Sequence, residues 1–308
     1  MNHNSIRCHH ILFNLLDLTN IIDSYSQEYI LKHVFSSNIT KIDWSYLSSN
    51  PNAIDILREN QDSIDWDNLS RNPNAIDLLR ENLSKINWSY LSYNPNAIDL
   101  LMENKEKINW SYLSSNPKAI DILRENQDKI DWLTLSSNPN GVDLFRENIN
   151  KMSSFYLSSN PNAVDLLRDN PDKINWLALS ENPNAIDLLK DNLDKISWLA
   201  LSANPSAIDL LRENQHKINW FYLSTNSNAN DILRENPYKI NWFYLSQNQN
   251  VDIIRDTYNK YLNKIDWNFL SQNPNAMDIL IEKPDKIDWK RIWRNPSIFS
   301  MNRLNNSL

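Results

Sequence analysis

The sequence predicts an all-α solenoid built from about twelve copies of one 22-residue helix-pair unit, with atypical capping ends. Three observations carry this prediction. Tryptophan recurs at 44, 66, 88, 110 and 132, gives way to Ser154, and returns at 176, 198, 220, 242, 267 and 289. Ten of the eleven steps are 22 residues, and the exception, 242 to 267, is 25. A four-residue apolar helix face follows each of these positions, and signals that start and stop two short helices recur at fixed offsets. A fixed period of this length marks a repeat array.

Residues 1–40 depart from the pattern and are assigned as an N-terminal capping segment. It contains a predicted helix near Gln27–Phe35, whose Ile30, Leu31, Val34 and Phe35 form a face that can cover the first copy. The solenoid is assigned to 41–296. Residues 297–308 form a C-terminal cap and tail, in which Asn302 takes a core Leu position and Asn305-Asn306-Ser307-Leu308 is polar.

Within a copy the first element is the short helix Trp44 to Ser49. The residue before the Trp position is Asp, Asn or Ser in every copy, from Asp43 to Asp288, as an N-cap column should be. Ile (Met152 once) precedes that cap and Leu (Ile292 once) follows five residues on, the pairing of a hydrophobic staple. The second element, Pro51 to Asn60, places Ala53, Ile54, Ile56 and Leu57 on one face and Asn52, Asp55, Arg58 and Glu59 on the other. Asn50 and its eleven counterparts are expected to N-cap it, with Pro at the first helical position in ten copies. Asn60 and its counterparts are expected to end it in the left-handed conformation.

A leucine-rich repeat is the competing reading, since Leu199-Ala200-Leu201-Ser202-Ala203-Asn204 mimics its core motif. It fails because the position of Leu199 is Ser45, Asp67, Ser89, Ser111 and Asn268 elsewhere, which a buried strand position does not accept. Helices this short are not stable alone, so the copies must stack into a quasi-one-dimensional array. The tenth step and its surroundings read as the weakest joint: Asn230 replaces a core Ile, Ser227 and Gln249 replace Pro, and three residues are inserted before Trp267.

The net charge of −7 is evenly spread, which argues against nucleic acid or a membrane surface as partner, because both require a basic face. Cys8 is the only cysteine, so no intrachain disulfide forms and a reducing setting is expected. Ile11-Leu12-Phe13-Asn14-Leu15-Leu16 is too short to span a membrane and lacks signal-peptide flanks. The glycosylation patterns at Asn38, Asn68 and Asn82 are expected by chance in so Asn-rich a chain. Gly141 is the only glycine, which excludes Gly-rich phosphate loops. Cys8-His9-His10 with His3 or His33 matches no zinc framework, and no third group orients a Cys8–His pair. No catalytic residue, metal or cofactor is therefore assigned, and the chain reads as a non-enzymatic scaffold.

Asp55 and Arg58 recur as columns and are read as i,i+3 pairs on a solvated face. The Trp column is read as core packing with an indole N–H partner rather than a ligand-stacking ladder.

The string Asn182-Pro183-Asn184-Ala185-Ile186-Asp187-Leu188-Leu189, flanked by Lys173-Ile174-Asn175-Trp176 and Lys195-Ile196-Ser197-Trp198, resembles repeats of proteins encoded by giant amoeba-infecting, mimivirus-like DNA viruses. The resemblance covers roughly residues 41–296. It implies a viral protein acting in the host cytoplasm or packaged in a virion, and it carries no activity, cofactor or site residue with it.

The informative positions vary while the frame stays fixed. The position of Ser45 is polar in copies one to four, then reads Leu133, Phe155, Leu177, Leu199, Phe221 and Phe243, and is polar again at Asn268 and Lys290. Beside it the position of Tyr46 supplies Tyr156, Tyr222 and Tyr244. A row of this kind on the outer side of the short helices is the usual form of a protein-binding surface. The expected partner is a protein, host or viral. The alternative is a structural or self-assembling virion component that uses the same row for self-association.

Overall fold

In the computed structural model, which describes residues 29–31 and 41–301, the solenoid is all-α apart from one pair of three-residue strands. The recurrent unit has a first helix (Trp44–Ser48 in copy one), a second (Ile54–Glu59), and a 3-10 turn (Gln61–Ser63) leading into the next copy.

The first helix starts as its cap column dictates. Asp43 is extended, and its carboxylate accepts from the N–H groups of Ser45 and Tyr46 at 3.2 and 3.3 Å. Asp131 and Asn219 cap their helices through the same pair of N–H groups, and Asp65, Asn109, Asn175 and Asn241 accept from the second of that pair. Each such cap contributes about 1 kcal/mol.

The second helix differs from its sequence reading. It begins at Ile54, with Ala53 as a cap that makes no side-chain bond, because Asn50-Pro51-Asn52 is a turn. Asn50 Oδ1 accepts from the Asn52 N–H at 3.0 Å and the Asn50 carbonyl from the Ala53 N–H at 3.2 Å. The amide nitrogen is thereby turned away from this helix and toward the preceding copy. Asn72 Nδ2 donates to the Ser48 and Asn50 carbonyls at 3.1 and 3.0 Å, and Asn116, Asn138, Asn182, Asn204 and Asn226 repeat the pair of bonds. These amides are buried, so the column is an asparagine ladder that satisfies backbone carbonyls between copies. A second, more exposed ladder runs beside it, in which Asn74, Asn140, Asn162, Asn184 and Asn228 donate to the carbonyl of the preceding copy's Pro.

The helix end is also corrected. Asn60 has φ −123° and no described non-glycine residue has positive φ. Instead, Asn60 Nδ2 reaches back to the Ile56 carbonyl at 2.8 Å, and Asn104, Asn126, Asn170, Asn214 and Asn236 do the same four residues back. The amide side chain thus satisfies a terminal carbonyl directly, and no left-handed turn is needed.

Ser48 and its counterparts complete the polar frame. Its hydroxyl donates to the Trp44 carbonyl at 2.7 Å and accepts the Asp65 N–H of the next copy at 3.0 Å. Around this frame the Leu47, Ala53 and Leu57 columns are buried, 0 to 1% exposed in copy one.

The Trp column does not lie in the core. Most of its members are half-buried, and the Lys that opens the next copy lies over the ring: Lys129 over Trp110 at 4.6 Å, Lys151 over Trp132 at 4.5 Å, Lys217 over Trp198 at 4.4 Å and Lys239 over Trp220 at 4.3 Å. The ammonium needs water and the indole face attracts it, which holds the pair at the surface. The charged columns pair in two ways. Arg124–Asp121 and Arg255–Asp252 are the expected i,i+3 pairs, whereas Arg58–Glu81 and Arg212–Glu235 join successive copies.

The chain forms two compact units, Met1–Lys85 with Trp267–Leu308, and Ile86–Asp266. In the first, copy twelve packs on copy one. Asn50 Nδ2 donates to the Trp293 and Asn295 carbonyls, both at 3.1 Å, and Asn52 Nδ2 to the Pro296 carbonyl at 3.1 Å. The face of copy one that the N-terminal segment was expected to cover is thus taken by the last copy. Tyr29–Leu31, expected in a helix, instead forms a strand pairing antiparallel with Phe299–Met301. The docked copies bring these two segments together, and pairing satisfies backbone groups that a three-residue segment cannot satisfy alone. The remainder of the predicted Gln27–Phe35 helix, together with Asn302 and the polar tail, lies outside the described residues.

The second unit holds copies three to ten. The three extra residues of copy ten are taken up by lengthening its second helix to Asp252–Tyr261. Tyr261 then covers Trp242, ring centroids 4.5 Å apart, and Trp242 is buried. Asn230, at the core Ile position, is buried with its Oδ1 unpartnered, as its sequence position implies.

Candidate functional site: an exposed apolar row

The candidate row belongs wholly to the second unit. Its six members follow the cap residue of each first helix by two positions, and the cap bonds fix the helix so that this position points outward. Leu133, Phe155, Leu177, Leu199, Phe221 and Phe243 are 44 to 56% exposed, in line with a surface row. Tyr156 and Tyr222 beside them are exposed, and Tyr244 is half-buried. In copies nine and ten the rings cluster: Phe221 meets Tyr244 edge-on at 5.9 Å, Tyr222 stacks on Tyr244 at 6.3 Å, and Phe243 meets Tyr244 edge-on at 5.3 Å.

The neighbouring column is not continuous. In copies seven and eight it is Ala178 and Ala200, which are buried, so the exposed apolar surface there is Leu177 and Leu199.

What the polar copies do at this position was not legible in the sequence. Ser45 Oγ donates to Asp65 Oδ2 at 2.7 Å, Ser111 Oγ to Asp131 Oδ2 at 2.6 Å, and Asn109 Nδ2 donates to Ser89 Oγ at 3.0 Å. The position therefore links one copy's helix to the cap of the next. The Ser111 hydroxyl, against some desolvation and helped by the N–H groups of Thr134 and Leu133, holds the Asp131 carboxyl below its ordinary value. At Asp65 burial pushes upward most strongly, but bonds from Ser45 and Asn68 together bring the carboxyl below its ordinary value. From Leu133 to Phe243 an apolar group replaces this link and stays about half exposed to water. The frame has a stabilising polar solution at this position and six consecutive copies do without it. The recurrent spacing of serine and aspartate was the available signal.

Chemistry is sparse elsewhere. Among the described residues no three His, Cys, Asp or Glu side chains are grouped to hold a metal ion, and no helix is long and apolar enough to cross a membrane. Cys8, His3, His9, His10 and His33 lie outside the described residues. No protein-family model, curated protein or solved structure matches the chain.

Proposed function

We propose that this chain is a non-enzymatic scaffold that binds a protein through the exposed row from Leu133 to Phe243. The observation that supports it is the substitution of large apolar groups, about half exposed, for an inter-copy hydrogen-bonding position in six successive copies. Contiguous exposed apolar surface is unfavourable to keep in water unless a partner covers it. The row is also poor in charge. Its caps from copy six onward are Ser153, Asn175, Ser197, Asn219 and Asn241, and interface centres are depleted in charged groups and rich in aromatic ones. The partner that fits is a protein presenting an uncharged apolar segment. Following the resemblance of the repeats, its setting is the cytoplasm of an infected amoeba or a virion, and no nucleic acid, membrane or cofactor takes part.

The test compares wild type with a variant carrying Leu177→Ser, Leu199→Ser and Phe221→Ser. A partner captured by the wild type and reconstituted with purified chain should bind the variant at least tenfold more weakly. Equal binding would remove the row from the account. Sedimentation of the isolated chain separates the structural alternative: concentration-dependent association abolished in the variant assigns the row to self-contact.

A further inference from the structure

We propose that the joint between copies twelve and one is exchangeable, so that copy twelve of one molecule docks on copy one of a second copy of this chain. The inference stands apart from the apolar row, which lies in the other unit.

The joint is built from the parts that join successive copies. Asn50 Nδ2 bonds the Trp293 and Asn295 carbonyls as Asn72 Nδ2 bonds those of Ser48 and Asn50. Asn52 bonds the Pro296 carbonyl as Asn74 bonds that of Pro51. Lys41 lies 5.0 Å over Trp289 as Lys85 lies 4.6 Å over Trp66. Further contacts belong to this joint besides the pairing of Tyr29–Leu31 with Phe299–Met301. Trp293, buried where other copies have Ser, donates its indole N–H to the Lys41 carbonyl at 2.9 Å, and the Arg294 guanidinium lies 4.5 Å over the Tyr46 ring. These give copy twelve a face made for copy one.

Connectivity sets this joint apart. Successive copies are tied by the chain, so a joint that opens between them recloses in place. The twelve-to-one joint bridges residues 243 and 245 apart in sequence, and no linker holds it. A head-to-tail surface of this kind is satisfied equally within one chain or between two. Reciprocal exchange loses and regains the same bonds, so protein concentration competes only with the effective concentration of the two faces in one chain, of order mM for tethered partners.

The test uses the full-length chain with Cys8→Ser and one or both of Asn52→Cys and Ser297→Cys, refolded from urea over a range of concentrations and treated with a short bis-maleimide. The chain carrying both cysteines should cross-link within the monomer. An equimolar mixture of the two single-cysteine chains should yield cross-linked dimer after co-refolding at high concentration. The dimer-to-monomer ratio should rise roughly tenfold for each tenfold rise in monomer concentration, by mass action. Wild type refolded in parallel should show the same rise by light scattering, so a poorly folded cysteine variant does not decide the matter. Three results overturn the proposal: wild type that remains monomeric up to about 1 mM, dimers that do not cross-link through these positions, or a double-cysteine monomer that does not cross-link.

Discussion

Gly141 and Phe145 fill one volume between them. Gly141 stands where most copies have Ala, and Phe145 stands in the column of Leu57, Leu79 and Leu101. Gly141 has φ −82° and ψ −1°, which any residue adopts, so the glycine is not there for its backbone. A Cβ at this position would lie 2.6 and 2.7 Å from Cε1 and Cζ of Phe145, whose ring is 0% exposed. The ring occupies the space that an alanine methyl takes elsewhere. Gly141→Ala should therefore destabilise by ~1–3 kcal/mol through overpacking. Phe145→Leu alone should cost ~1–2 kcal/mol for the void it leaves. The double variant restores the pair of the other copies, and alanine recovers ~0.4–1 kcal/mol by restricting the unfolded chain. It should unfold within about 1 kcal/mol of wild type, and the double-mutant cycle should show a coupling of about 2 kcal/mol or more. Urea unfolding followed by far-ultraviolet circular dichroism reads all four chains. Additive single effects, or a Gly141→Ala chain as stable as wild type, would refute the packing argument.

Three further outcomes are expected. Asn138→Ala removes the side-chain donor to the Ser114 carbonyl and one of two donors to the Asn116 carbonyl and should cost ~1–3 kcal/mol, whereas Asn162→Ala, on the exposed ladder, should cost less than ~1 kcal/mol in the same urea assay. Asn230→Ile removes the unpartnered buried oxygen and should stabilise copies nine and ten, slowing limited proteolysis between about 225 and 262, where wild type should be cut first; unchanged cleavage there would count against a weak joint. Asp131 is held below the ordinary carboxyl value by Ser111, so it adds stability above the unfolded-state value of about 4 and loses it as pH falls through its lower folded value. Ser111→Ala should flatten the fall in urea midpoint below about pH 4, and an unaltered acid limb would contradict the assignment.

Much of the frame was legible in the sequence because its signals are local. The cap column from Asp43 to Asn241, the stop of the short helix and the turn of helix added before Trp267 depend on neighbours a few residues away. The asparagine ladder was misread because a buried Asn followed by Pro suits a helix cap as well as a bond to a carbonyl 22 residues earlier. The second Asn of Asn50-Pro51-Asn52, recurring at 74, 96, 140, 162, 184, 228, 250 and 275, was the unused clue, since a cap needs only one. The Trp column was misplaced for a related reason: the lysine that covers a ring such as Trp110 or Trp220 comes from the following copy. Docking of copy twelve on copy one joins residues more than 240 apart, beyond any local pattern. The six-residue row was found because polar residues fill the same position in other copies. Its tyrosine border, named at Tyr156, Tyr222 and Tyr244, is interrupted in copies seven and eight by Ala178 and Ala200, which are buried.

The account rests on the row from Leu133 to Phe243 being surface that the fold does not need. Thermal and urea unfolding of the chain carrying Leu177→Ser, Leu199→Ser and Phe221→Ser tests this directly. Ser at position 199 stands toward Asn219 as Ser89 does toward Asn109, and the ring contact removed is the edge-on meeting of Phe221 with Tyr244, about 0.5–1.5 kcal/mol. The account predicts that the three changes together alter stability by no more than about 1.5 kcal/mol. A loss of ~2–5 kcal/mol for each large-to-small change would show that the row is core and would contradict it.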